Sequence, residues 1–126
     1  MNAAYVAVVD DEAPVRTALG RLLRLADYEV AAFACGEEFL ESLAARRPDC
    51  VVLDVHMPRL TGFDVQAKMR AASVDVPVIF ITASDDPGID ESARQAGSAC
   101  VLRKPFGSDA LLAAVESACR SRGNCG

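Results

Sequence analysis

The sequence of 126 residues has a single histidine, no tryptophan, and five cysteines that are scattered without a Cys-x-x-Cys pair. Zinc sites need several closely spaced cysteine and histidine ligands, so this distribution argues against a zinc centre. Four of the cysteines are predicted to be reduced thiols that pack in the interior, whereas Cys125 in the polar tail is the exception that can oxidise or cross-link two chains. The sequence also lacks an apolar run long enough to span a membrane, and its N-terminus lacks a signal-peptide plan. These absences predict a cytoplasmic protein.

Positive charge is the minority sign, since 13 Lys and Arg residues stand against 18 Asp and Glu residues, for a net charge of −5. Binding to nucleic acid or to anionic lipid depends on a positive surface, so neither is expected of this domain directly. The hydrophobic fraction of 52% suffices for one core. Residues 1–120 are assigned to a single domain, and the polar residues 121–126 to a C-terminal tail or the start of a linker.

Short β-branched runs alternate with helically spaced apolar positions along the chain. Strands are predicted at 6–9, 29–33, 51–53, 78–81 and 99–102, and a helix follows each of them. Thr61 and Asp64 resemble a capping box, and Asp86-Pro87 resembles an N-cap followed by a first-turn proline. Five βα units with short connections predict an α/β fold, a doubly wound five-stranded parallel sheet in the flavodoxin-like (βα)5 order 2-1-3-4-5.

Polar residues follow four of the predicted strands. Asp10 and Asp11 come directly after the first strand, and Asp54 ends the third. Thr82 follows the fourth strand, and Lys104 follows the fifth. The carboxyl ends of parallel strands meet at one edge of an open sheet, which is where ligands bind. The pattern therefore predicts one polar site built from distant parts of the chain.

Three neighbouring carboxylates repel one another unless a cation lies between them. Oxygen ligands suit Mg²⁺, which contacts one or two carboxylates directly, and Lys104 adds a second positive charge. A carboxylate can accept a phosphoryl group, a transfer that depends mainly on positioning and charge neutralisation. We therefore interpret Asp54 as a phosphoacceptor. Thr82 would donate its hydroxyl to the phosphoryl group, and the small Ala83 would leave room for it.

Each of these residues also has a plain structural explanation. Asp10 and Asp11 can start a helix, and Asp54 can start a turn. Thr82 is a common strand residue, and Lys104 can be a solvated charge. The functional interpretation is favoured because complementary groups at four separate strand ends rarely coincide by accident.

Four motifs carry a family resemblance: "VVDDE" at 8–12, "LDVHMPRLTG" at 53–62, "ITA" at 81–83 and "KPF" at 104–106. By these motifs and their spacing over about residues 5–118, the sequence resembles the receiver domains of two-component response regulators. The stretches "VRTALGRLL" at 15–23, "FACGEEFL" at 33–40 and "PVIFITA" at 77–83 are most similar to the FixJ-type branch. The resemblance implies that a sensor histidine kinase or phosphotransfer protein phosphorylates Asp54. It also implies that Asp11, Asp54 and the main-chain carbonyl of His56 ligate Mg²⁺, while Asp10 acts through water.

The resemblance further implies a signal passed from Thr82 and Lys104 to the face of the fourth helix, fifth strand and fifth helix. A phosphorylation-dependent homodimer and a LuxR-type DNA-binding output domain outside this chain belong to the same expectation, as does a cis Lys104–Pro105 bond. Two positions depart from the family pattern. Val101 replaces the usual aromatic residue, and His56 stands where a side chain often tunes the phosphoryl lifetime, although it can equally be a plain surface residue.

Other classes of protein share parts of this pattern. A flavodoxin-like FMN binder would need a phosphate loop after the first strand, where "DDEAP" would repel phosphate. A haloacid-dehalogenase-type phosphatase would need a carboxylate at the position of His56. The remaining alternative is a phosphorylation-independent receiver-like module that only binds other proteins.

Overall fold

The computed structural model describes residues 3–97 and 100–125, with side chains through residue 120. In these ranges five strands form one sheet: β1 (Tyr5–Val9), β2 (Glu29–Phe33), β3 (Cys50–Asp54), β4 (Val78–Thr82) and β5 (Val101–Arg103). The helices between and after them are α1 (Ala13–Leu25), α2 (Gly36–Ser42), α3 (Gly62–Ala71), α4 (Gly88–Gln95) and α5 (Ser108–Cys125). All strand pairs are parallel, in the order β2-β1-β3-β4-β5. The predicted fold class and strand order are confirmed.

Helices cover both faces of the sheet, so two hydrophobic clusters form the core. One includes Phe39 and Val65 from α2 and α3. The other includes Leu23 and Leu111 from α1 and α5. Every residue of β1, β3 and β4 is buried, which explains why these strands are continuous apolar runs in the sequence rather than alternating patterns.

The starts of α3 and α4 differ in how well the sequence predicts them. At α3 the capping box is present, because Thr61 Oγ1 accepts from the Asp64 N–H and the Asp64 carboxylate accepts from the Thr61 N–H. At α4 the predicted N-cap is wrong by one residue, since Pro87 and not Asp86 is the N-cap. The proline ring holds φ at −66°, a helical value, while Asp86 Oδ1 accepts from the Gly88 N–H at 2.9 Å.

The two C-terminal elements extend further than the sequence predicts. Strand β5 ends one residue later than predicted, at Arg103, and it does not include Cys100, whereas the predicted start at residue 99 lies outside the described residues. Helix α5 continues to Cys125, so the backbone of 121–125 is helical rather than an irregular tail. Lengthening a formed helix adds a hydrogen bond per residue without a new nucleus, which favours this continuation. That a linker starts at 121 stays a prediction.

The described cysteine side chains, at Cys35, Cys50, Cys100 and Cys119, are thiols and not members of disulfide bonds. Cys50 is buried and the other three are half-buried, so they pack as the sequence predicts. Within residues 3–97 and 100–125, none of the helices is both long and apolar enough to cross a bilayer.

Gly62 allows the first turn of α3 to lie directly against the end of β3. Its N–H donates to the carbonyl of Val55 at 2.9 Å. A Cβ atom at this position would lie 2.5 Å from the main-chain oxygen of Asp54. Only glycine permits so close an approach of two backbone segments. The contact therefore fixes the backbone at the carbonyl of Asp54 and at Val55.

Replacing Gly62 by alanine should lower the free energy of unfolding by about 1–3 kcal/mol, because the added methyl group collides with backbone. Gly107→Ala is the matched control, since no atom lies within 4 Å of a Cβ there, and it should change stability by less than about 0.5 kcal/mol. Urea unfolding followed by circular dichroism measures both variants. Equal stabilities would show that the start of α3 can move away from β3 easily.

Candidate functional site

The sheet register brings three carboxylates together. Val9 of β1 pairs with Leu53 of β3, so the residues that follow them, Asp10 and Asp54, come side by side. One carboxylate oxygen from each of Asp10, Asp11 and Asp54 lies within 4.8 Å of the others. Asp10 and Asp54 are only 0% and 4% exposed, whereas Asp11 is exposed to solvent. The predicted acidic cluster is therefore present, with one member open to solvent.

Asp10 is held in place through both of its carboxylate oxygens. Oδ1 accepts the backbone N–H of Glu12 at 2.9 Å, and Oδ2 accepts from Lys104 Nζ at 2.9 Å. Its main-chain carbonyl accepts from Arg16 Nη1 at 2.8 Å. Because each oxygen of Asp10 already accepts a hydrogen bond, only its remaining lone pairs can serve a cation.

Lys104 supplies the positive charge nearest to the cluster. Its main-chain N–H donates to the carbonyl of Thr82 at 2.7 Å, which fixes the residue just beyond β5. The ammonium Nζ also lies 3.4 Å from Glu12 Oε1 and 3.7 Å from Asp54 Oδ1. Burial opposes the charge of Lys104, but its hydrogen bond to Asp10 and the charges of Asp54 and Asp10 prevail and raise its pKa. The side chain is therefore an ammonium at neutral pH.

One ammonium group does not neutralise the cluster. Burial, the strongest effect, and then the charge of Asp10 raise the pKa of Asp54 to about 7, although Lys104 and the backbone amide of His56 act in the opposite direction. A group of oxygen ligands with surplus negative charge fits a hard divalent cation such as Mg²⁺. The three carboxylates are those that the sequence predicts for magnesium, and the part of the His56 carbonyl stays a prediction.

The other predicted site residues lie around this cluster. Thr82 is fully buried and follows Ile81, the register partner of Asp54, and its Oγ1 accepts the Ser84 N–H at 3.0 Å. Ala83 and the side chain of His56 are exposed. The structure thus places the predicted residues at one edge of the sheet, while the Thr82 hydroxyl oxygen is engaged by its own loop.

Two residues near the site have roles that the sequence pattern does not reveal. Glu12 donates its N–H to Asp10 and accepts from Lys104. Arg103 bonds to residues 13 to 19 positions earlier in the chain, which no local periodicity predicts. The one signal for Arg103 is a charged residue directly after the predicted strand at 99–102, since a charged side chain that the fold partly covers needs partners.

Comparison with known proteins decides the family. Residues 6–116 match the family described as "Response regulator receiver domain". The chain belongs to this family. Membership decides against the flavin-binding and phosphatase alternatives. The Lys104–Pro105 peptide bond is cis, as the resemblance implies.

The receiver domain is similar to longer curated proteins. It is 40% identical over 119 residues to the transcriptional regulatory protein PrrA of Mycobacterium tuberculosis. This match covers 94% of this chain and 51% of PrrA. With the response regulator MprA of Mycolicibacterium vanbaalenii it shares 39% identity over 91% of this chain and 50% of that protein. The chain therefore spans about half the length of the curated relatives it matches.

Among solved structures, the response regulator receiver protein from Burkholderia phymatum is 44% identical with a TM-score of 0.83, and the match covers 93% of this chain and 95% of that one. These similarities support a two-component signalling domain. Assignment to the FixJ-type branch stays a prediction.

Because the folded state raises the pKa of Asp54 from 3.8 to about 7, it binds this proton more tightly than the unfolded state does. Stability should therefore fall as pH rises across that interval in metal-free buffer. Asp54→Asn should remove this loss and raise the melting temperature by about 3–8 °C at about pH 8, with a much smaller gain at about pH 4.

Differential scanning fluorimetry with a chelator measures this effect. Glu41→Gln, on the exposed side of α2, is the charge-matched control and should show no such pH-dependent gain. A lower melting temperature for Asp54→Asn at both pH values would show that the lost Lys104 contact outweighs the relieved repulsion.

Proposed function

We propose that this receiver domain accepts a phosphoryl group on Asp54 in a Mg²⁺-dependent reaction. The donor is the phosphohistidine of a sensor histidine kinase or phosphotransfer protein, the class of partner with which receiver domains interact. The observation that carries the proposal is the convergence of Asp10, Asp11 and Asp54 within 4.8 Å beside Lys104. Such a site can hold a dianionic group although the protein is acidic overall.

The proposed phosphoryl transfer forms one bond to phosphorus and breaks another. A carboxylate oxygen of Asp54 attacks the phosphorus of phosphohistidine, so that a P–O bond forms and the P–N bond breaks. The electron pair of the broken P–N bond stays on the imidazole of the donor. Because the other ring nitrogen of the phosphohistidine carries a proton, the imidazole that leaves is neutral. The product on Asp54 is an acyl phosphate. The sheet holds Asp54 in place for the attack, and transfers of this kind depend mainly on such positioning.

The surrounding residues would neutralise and hold the phosphoryl group. Asp11, Asp54 and the main-chain carbonyl of His56 would bind Mg²⁺ directly. Asp10 would act through water, which agrees with the hydrogen bonds that its two oxygens already accept. When bound, Mg²⁺ supplies charge neutralisation to the phosphoryl oxygens.

Three residues of this chain would contact the phosphoryl group itself. Lys104 would direct its ammonium to a phosphoryl oxygen, and Thr82 would donate its hydroxyl hydrogen. Ala83 would leave room for the group, since it presents only a methyl side chain. The exposed imidazole of His56 would influence hydrolysis of the acyl phosphate, whereas a plain surface residue would leave the rate unchanged.

The domain would act as a switch and not as an enzyme on a separate substrate, because it catalyses only its own phosphorylation and dephosphorylation. Its output would pass through the face formed by α4, β5 and α5 to a dimer partner or to a LuxR-type DNA-binding domain outside this chain. Direct contact of this domain with nucleic acid is not part of the proposal, in line with its net charge of −5.

Incubation with phosphoramidate and Mg²⁺ should add one phosphoryl group to the wild-type protein, and Asp54→Asn should abolish this labelling. Asp49→Asn is the matched control, because Asp49 precedes the opposite end of the same strand, and it should be labelled like the wild type. Intact-mass spectrometry measures all three proteins, with a chelator as a further control. Equal labelling of wild type and Asp54→Asn, or none in either, would instead favour a receiver-like module that works without phosphorylation at this residue.

A further inference from the structure

Arg103, the last residue of β5, joins three elements through one guanidinium group. Its Nε donates to the carbonyl of Ser84 at 3.1 Å, and its Nη2 donates to the carbonyl of Asp86 at 3.0 Å. The same group pairs with both carboxylate oxygens of Asp90 in α4, at 3.2 and 2.7 Å. A single side chain of β5 therefore holds the β4–α4 loop (residues 83–87) and the first turn of α4.

This loop is connected by hydrogen bonds to Thr82. The Ser84 N–H donates to Thr82 Oγ1 at 3.0 Å, and the Asp86 N–H donates to Ser84 Oγ at 3.1 Å. An unbroken series of bonds thus runs from the Thr82 hydroxyl through the loop to Arg103. If the Thr82 oxygen itself moves towards a group on Asp54, it must either lose its bond to Ser84 or draw the loop with it.

The rest of α4 contributes little apolar packing. Its buried residues are Ile89 and Ala93, so only one large side chain anchors the helix in the core. The ion pair with Asp90 is partly exposed, and such pairs contribute little stability on average. A planar guanidinium that engages a carboxylate through two bonds nevertheless fixes orientation well. The Arg103 contacts are therefore suited to setting the position of the loop rather than the stability of the fold.

Val101, on the same strand, cannot set the position of the β4–α4 loop. Its β-branched side chain has few rotamers and packs, half-buried, against one of the hydrophobic clusters. Arg103 differs because its contacts are polar and directed at the loop that carries the Thr82 bond.

We propose that Arg103 is a positioning residue that clamps the β4–α4 loop and thereby sets how readily Thr82 reaches a phosphoryl group on Asp54. The inference rests on the proposed function of Asp54. In the clamped arrangement the loop holds the Thr82 oxygen through the Ser84 N–H, so the clamp opposes movement of that oxygen towards Asp54 and favours the resting state. A ligand shifts such an equilibrium only by its difference in affinity for the two states. Weakening the clamp should therefore tighten binding of a phosphoryl mimic.

The test is a titration with beryllofluoride and Mg²⁺ followed by amide NMR signals of residues 83–96. Asp90→Asn leaves the two carbonyl contacts of Arg103 available and should tighten apparent binding about 2- to 5-fold. Arg103→Gln should tighten it at least as much. Arg103→Lys should resemble Arg103→Gln, since an ammonium keeps the charge but cannot reproduce the fork of bonds.

Glu91→Gln is the matched control for Asp90→Asn. It removes the same charge one position along α4, but Glu91 contacts Arg94 and Gln95 within the helix. The affinity of the Glu91→Gln variant for beryllofluoride should equal that of the wild type. The double variant Asp90→Asn with Arg103→Gln should tighten beryllofluoride binding by less than the product of the two single fold-changes, because both substitutions remove the same ion pair.

The outcomes separate this inference from the proposed function. If the wild type does not bind beryllofluoride, the phosphoacceptor proposal fails. If the wild type binds and the variants match it, the clamp is refuted. Weaker binding by folded variants would also refute it, because Arg103 would then hold the loop in the binding-competent position. Should Arg103→Gln fail to fold, Asp90→Asn against Glu91→Gln still decides the question.

Discussion

The surplus of negative charge at one edge of the sheet is the constraint on which the rest of the structure depends. Three carboxylates meet there, two of them buried, and Lys104 is the ammonium placed among them. Burial, the strongest effect, and then the repulsion raise the pKa of Asp54 to about 7, so the site needs further positive charge to neutralise its carboxylates. In the proposed function a divalent cation would provide that charge, and it would also offset the negative charge of a phosphoryl group on Asp54.

The sequence predicts the fold well because each strand carries its own local signal. Strands β1, β3 and β4 are buried on both faces and therefore appear as unbroken apolar runs, which are typical of a covered parallel sheet. The boundaries are less predictable. Pro87 can take helical dihedral angles itself, which moves the start of α4 by one residue, and α5 continues through residues that look like a polar tail.

The candidate site is predictable as far as it depends on strand ends. Asp10, Asp54 and Lys104 come together because parallel strands end at one edge, and a single sequence shows where strands end. Side-chain contacts between distant elements cannot be predicted in the same way. The bonds of Arg103 to the β4–α4 loop and the shared role of Glu12 depend on rotamers and distances that no spacing rule contains. These contacts connect the acidic site to α4, so the connection became visible only in three dimensions.

The most direct test of the account is the pKa of the Asp54 carboxyl group, followed by ¹³C NMR as a function of pH, first without metal and then with excess Mg²⁺. The account predicts a pKa of about 7 in metal-free protein, well above the ordinary value of 3.8, and a marked decrease when Mg²⁺ is added. A metal-free pKa close to the ordinary value, or one that Mg²⁺ does not change, would contradict the claim that surplus carboxylate charge defines this site.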